Sequence, residues 1–147
     1  MAKIYKIEYT KEVFEKLLNN RMEKGDYEGA LSLGYYYIDK FNYHSCFLFE
    51  TMAKANFYIE EYAKAINFYF SYLASCDKEQ ETVAYNGLGA CFYRMDNKDL
   101  ASFYFNKQLR RKQNRPYAHN DVLTEFFDDV TNVKDKYYQA YLPLKDI

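Results

Sequence analysis

Three positions in the chain keep step with one another. Leu18 and Ala30 are 12 residues apart, as are Ala53 and Ala65, and Gly89 and Ala101. The units carrying these pairs recur after 35 and then 36 residues. Aromatics follow the same beat at Phe14 and Tyr27, at Phe49, Tyr62 and Tyr69, and at Tyr85 and Phe105. A period in the mid-thirties with small residues at two fixed places marks a helix-turn-helix repeat array. One helix pair cannot bury its apolar face alone, so the pairs must stack. Where paired helices cross, Gly or Ala lets the axes approach to ~8–10 Å.

Apolar spacing then sets the elements. Residues 1–10 read as a lead-in segment, with Thr10 as an N-cap and Glu12 where the helix dipole favours it. The first pair covers about 11–44, broken at Gly25-Asp26, with its second helix running from Tyr27 to Ile38. The second covers 46–79, with Cys46, Phe49, Met52, Ala53 and Phe57 on one apolar face and a turn at Glu60-Glu61. The third covers 82–115, with its turn at Asp96-Asn97. Pro116 ends the array. Residues 116–147 read as a capping helix, started by Asn120 or Asp121 and running through Val122, Leu123, Phe126, Phe127 and Val130, followed by a tail. The cap covers the open end of the array, and its acids Glu125, Asp128 and Asp129 face solvent. The tail, with Tyr137, Tyr138, Tyr141, Leu142, Pro143 and Leu144, is either a last packed segment or a linker to a further domain.

Composition narrows the function classes. Lys plus Arg is 20 and Asp plus Glu is 21, so the net charge of −1 argues against a global affinity for nucleic acid or anionic membrane. No stretch approaches the ~20 apolar residues of a membrane helix. The three cysteines, Cys46, Cys76 and Cys91, are odd in number and widely spaced, which reads as a reduced, cytoplasmic chain. Cys91, between Ala90 and Phe92, reads as a small buried hydrophobe.

The motifs resemble the tetratricopeptide repeat. The third unit carries Tyr85-x-x-Leu88-Gly89-x-x-Phe92, then Ala101 and Phe105. The second carries Phe49, Met52-Ala53, Tyr62, Ala65 and Tyr69, and the first Phe14, Leu17-Leu18, Gly25-Asp26-Tyr27 and Ala30. Leu18 stands where a small residue is usual, Gly34 where an aromatic is usual, and Gln108 where Ala is usual. The run Ala84-Tyr85-Asn86-Gly87-Leu88-Gly89-Ala90 is also similar to the N-terminal repeat domain of longer bacterial repeat proteins. The resemblance implies an all-α, right-handed superhelix of about three antiparallel helix pairs plus a C-terminal capping helix.

It also implies that the first helix of each pair lines a concave groove. The groove positions are Glu12, Glu15, Asn19, Met22 and Glu23, then Phe47, Glu50, Lys54, Phe57 and Tyr58, then Val83, Asn86, Tyr93 and Arg94. Helical spacing supports the second set, since Glu50, Lys54 and Phe57 fall at i, i+4 and i+7. Asn19 and Asn86 can hold an extended peptide backbone, the aromatics Phe47, Phe57, Tyr58 and Tyr93 its apolar side chains. Lys54 and Arg94 can take a carboxylate. Members of this family that grip the acidic tail of heat-shock chaperones use a clamp of Lys, Asn, Asn, Lys and Arg. The corresponding places here hold Glu15, Asn19, Thr51, Val83 and Gly87, so that partner is not expected.

No residue pattern supports catalysis, a metal or a cofactor. The cysteines lack zinc-site spacing, and His44 and His119 fall in turns without an evident partner. Gly87-Leu88-Gly89 lies inside a helix and is too short to cradle phosphate. The cluster Lys107, Arg110, Arg111, Lys112 and Arg115 reads as a helix C-terminus favoured by the dipole, its charge answered by the acidic last helix, rather than as an RNA contact. Tyr35-Tyr36-Tyr37 places rings on different sides of one helix, so at least one ring is exposed. The expected function is a non-catalytic protein- or peptide-binding scaffold. The alternatives are a self-associating, homo-oligomeric structural module and a regulatory or targeting domain of a larger protein.

Overall fold

The structure, a computed structural model, describes residues 11–113 and 115–133. The lead-in segment with its Thr10 cap, and the tail beyond 133, lie outside the described residues. Within them are seven α-helices and one 3-10 turn, with no strand. The helices are α1 (Lys11–Glu23), α2 (Tyr27–Phe41), α3 (Cys46–Tyr58), α4 (Tyr62–Ser75), α5 (Glu81–Arg94), α6 (Lys98–Arg110) and α7 (Asn120–Val133). The 3-10 turn, Lys78–Gln80, precedes α5.

The repeat is most exact in its turns. Gly25, Glu60 and Asp96 hold positive φ of 74°, 67° and 62°. After each, an amide reaches back five residues: Asp26 to the Arg21 carbonyl, Glu61 to that of Asn56 and Asn97 to that of Phe92, all at 2.8 Å. The amides of Gly25, Glu60 and Asp96 reach Met22, Phe57 and Tyr93 at 3.1, 3.0 and 3.0 Å. This is the Schellman closure, which satisfies the last carbonyls of one helix while turning the chain into the next. Asp26 and Asn97 then cap the following helices, accepting from the Gly29 and Leu100 amides. Three identical closures make three antiparallel pairs: α1 with α2, α3 with α4, α5 with α6.

The small residues sit where the helices meet. Ala30, Ala53, Ala65 and Ala101 are fully buried. At Gly89 an added Cβ would stand 2.5 Å from Cδ1 of Phe105, itself fully buried. Gly89→Ala is therefore expected to destabilise by about 1–3 kcal/mol through overpacking, despite the helix propensity gained; urea denaturation reads it directly. Gly34, unusual for the repeat, makes room for the Met52 thioether, which an added Cβ would overlap.

The last element departs from expectation in its polar face. Val122, Leu123, Phe126 and Val130 of α7 are buried, with Phe126 against Tyr93 of α5 and Phe105 of α6. The helix thus covers the end of the third pair. Its first carbonyl acceptor is His119, which takes the Leu123 amide, so the cap lies one residue before the expected Asn120. Asp128 and Glu125 are exposed as expected, but Glu125 also pairs with Arg94, and the partly buried Asp129 pairs with Lys98. The basic cluster does not answer them. Arg111 pairs instead with Glu81, and Lys107 sits over the Phe103 ring.

The cysteine reading is also corrected. Cys46 and Cys76 form a disulfide, with Cα atoms 5.7 Å apart. Cys46 opens α3 and Cys76 follows α4. An antiparallel pair brings those two ends together, which wide spacing in sequence concealed. Cys91 is buried and free, its thiol pushed up to about 12 by burial.

Candidate functional site

The first helices α1, α3 and α5 present one face, and residues 115–119 run over it. Arg115 walls a cleft of about 260 Å³ with Cys46, Phe47, Glu50, Tyr72 and Gln80. Ala118 walls a second of about 310 Å³ with Asn19, Met22, Glu23, Tyr27, Lys54 and Tyr58. The expected groove residues Asn19, Lys54 and Tyr58 thus share the second cleft, while Phe47 and Glu50 share the first. Lys54 lies 3.9 Å from Glu50 on the same helix face, a half-exposed pair with little energy in it. The Tyr58 ring lies against Tyr27, centroids 4.9 Å apart.

The third unit's share of the groove is already taken by the chain itself. Asn86 is buried, so the expectation that its amide meets a partner is corrected. Its Nδ2 donates to Oε1 of Gln108 at 3.1 Å, and its Oδ1 accepts the backbone amide of His119 at 3.0 Å. The side chain thus holds a backbone amide of its own chain, in the turn that leads into α7. Gln108, unusual for the repeat, is in place to hold it. Arg94 is likewise committed: its guanidinium makes a two-pronged contact to Glu125 at 2.6 and 3.0 Å. That pair holds the Glu125 carboxyl below its ordinary value. The Tyr93 hydroxyl donates to Asp129 at 3.1 Å; burial first, then that carboxylate, push the phenol to about 12. Phe57 is buried, with its ring 4.2 Å from the His119 imidazole. On α1, Glu12 and Glu23 are exposed, while Glu15 accepts from the Tyr43 hydroxyl.

His119 is the residue that sequence reasoning missed. It falls in a turn, as expected, but is 1% exposed. Its Nε2 lies 2.7 Å from the Tyr69 hydroxyl. Burial holds that phenol well above its ordinary value, so it stays protonated; it donates to Nε2 when the ring proton is on Nδ1 and accepts when the proton is on Nε2. Burial lowers the imidazole to about 4. Gly87 permits the arrangement, because a Cβ there would fall inside the Tyr69 ring. The only sequence signal was Gly87 inside a helix, for which the repeat gives no reason.

Among the described residues no group of His, Cys, Asp and Glu could hold a metal, and no helix is long and apolar enough to cross a membrane. Comparison with protein families, curated proteins and solved structures returns no match.

Proposed function

We propose that the chain is a non-catalytic scaffold of tetratricopeptide type that binds a protein or peptide segment in the cleft between α1 and α3. The observation that carries this reading is the cleft at Asn19, Lys54 and Tyr58: an amide, a cation and an exposed ring from the first helices of two successive units. An amide holds a peptide backbone, Lys54 takes a carboxylate, and the Tyr27–Tyr58 wall takes an apolar side chain. Affinity is modest, since ordering an extended segment costs several kcal/mol. The array's regular Schellman turns support the resemblance. The disulfide favours an oxidising compartment over the cytoplasm.

A library of linear peptides panned on the full chain tests the reading. Enriched peptides are expected to lose at least about tenfold in affinity, ~1.4 kcal/mol, on the Lys54→Glu/Tyr58→Ala double variant. Arg94→Glu, which acts on the α7 contact, leaves them bound. Equal binding to all three proteins would place the site elsewhere.

One observation favours self-association as a second reading. Tyr35 and Tyr36 of α2, Phe70 of α4 and Phe103 of α6 are all exposed on the second helices, while Tyr37 is buried. Exposed rings enrich interfaces. A concentration-dependent mass abolished by Tyr36→Ser/Phe103→Ser supports it.

A further inference from the structure

Residues 115–119 divide the first-helix face. Arg115 belongs to one cleft and Ala118 to the other, so the two clefts are neighbours separated by this crossing. What pins it is His119. The ring inserts among Phe57 and Tyr58 of α3 and Tyr69 of α4, while the backbone amide is held by Asn86 of α5. We propose that residues 115–119 are a proton-sensitive strap, latched by His119, which keeps the two clefts apart at neutral pH and lets them join when it is released by acid.

The latch depends on a neutral ring. The imidazole is 1% exposed and, with its proton on Nδ1, accepts at Nε2 from the Tyr69 hydroxyl; an imidazolium would force that hydroxyl to turn round and accept. The site is also poorly suited to a cation. Burial among three rings disfavours charge, and both Lys54 of α3 and Arg94 of α5 oppose it. Tyr58 and Tyr69 face the imidazole as neutral phenols. Asp121 of α7 is the one acid favouring protonation, and its influence is smaller than that of burial. Protonation is therefore coupled to leaving the pocket. The sign follows directly: the closed ring has its affinity for protons lowered from 6.5 to about 4. The closed state is thus favoured above 6.5 and loses that advantage as pH falls towards 4.

The strap can move at the cost of only the first turn of α7, where the His119 carbonyl takes the Leu123 amide. That helix is held by Val122, Phe126 and Val130, which do not titrate. Its ion pairs to Arg94 and Lys98 hold the Glu125 and Asp129 carboxyls below their ordinary values, so they persist at mildly acid pH. Release joins the clefts at the face proposed above for peptide binding and rests on that reading only for its consequence; a strap that stays shut leaves the peptide test intact.

Hydrogen exchange of the full, disulfide-bonded chain tests the strap, with rates corrected for the intrinsic pH dependence of exchange. The opening constant of the His119 amide and its 117–119 neighbours is expected to rise roughly 25-fold between pH 7.5 and pH 5. The α7 amides of 124–130 stay flat over the same range. His119→Gln offers Tyr69 an acceptor that does not titrate, and its strap is expected to open independently of pH. A flat wild-type profile overturns the proposal, and so does an equal slope in the Gln variant. Should that variant not fold, the wild-type contrast decides alone: strap and α7 opening in parallel would mean loss of the whole end of the fold and would sink the latch.

Discussion

Phe126→Ala is expected to lower the free energy of unfolding by roughly 3–5 kcal/mol, the range for emptying a buried aromatic site. Phe126 is 1% exposed and touches rings on both helices of the third pair, with Tyr93 at 5.7 Å and Phe105 at 5.2 Å. Its neighbours cannot close the gap easily. Phe105 is pinned by Gly89 on one side, and Tyr93 is tied to Asp129 through its hydroxyl. The loss would also fall unevenly. An array is stable as a sum of its units and their interfaces, so the third pair should loosen first while α1 to α3 keep their own core around Phe14, Leu18, Leu48 and Met52. Urea denaturation gives the total, and exchange at α6 amides against α2 amides gives the distribution. A change below about 1 kcal/mol would show that α7 is peripheral rather than the end cap of the array.

How much of this was legible in sequence depends on the separation of the residues involved. The turns at Gly25, Glu60 and Asp96 were legible because each is a local event, repeated in phase, whose residues lie within six positions of one another. The helix faces were legible for the same reason, since spacing along a helix decides which side chains share a side. The candidate binding face was only half legible. Asn86 and Arg94 do lie on the first helix of the third unit, as the repeat implies. Their partners His119 and Glu125 lie 33 and 31 residues downstream, in a segment outside the repeat. Periodicity says nothing of where such a segment docks. Asn19, Lys54 and Tyr58 share a cleft whose wall, among the described residues of the C-terminal segment, is Ala118, with the His119 ring beside Tyr58. The acids of α7 show the same limit: their spacing predicted a polar face, and only the docked position of the helix decided that Arg94 and Lys98 would answer it.

The cysteines offered a signal of a kind that counting discards. Cys46 stands at the start of a first helix and Cys76 at the end of its antiparallel partner, positions that the pairing itself makes adjacent. Their bond closes the end of the second pair opposite the Ile59–Glu61 turn, with a separation of 30 residues. Closing such a loop removes entropy from the unfolded chain worth about 3.5 kcal/mol. Reduction, or the Cys46→Ser/Cys76→Ser variant, is therefore expected to cost the second pair roughly that amount, with the urea dependence steepening as the unfolded chain expands. Helicity before the transition should be unchanged, because the Schellman turn and the Ala53 and Ala65 contacts hold α3 and α4 at their other end and along their crossing. The third thiol supplies an internal check. Cys91 is fully buried and its thiol is pushed up to about 12, so in the oxidised chain no thiol should react until unfolding exposes it. If the chain as purified instead shows two readily titrated thiols, and reduction leaves its stability unchanged, the bond is not part of the native protein and the reduced reading of its cysteines returns.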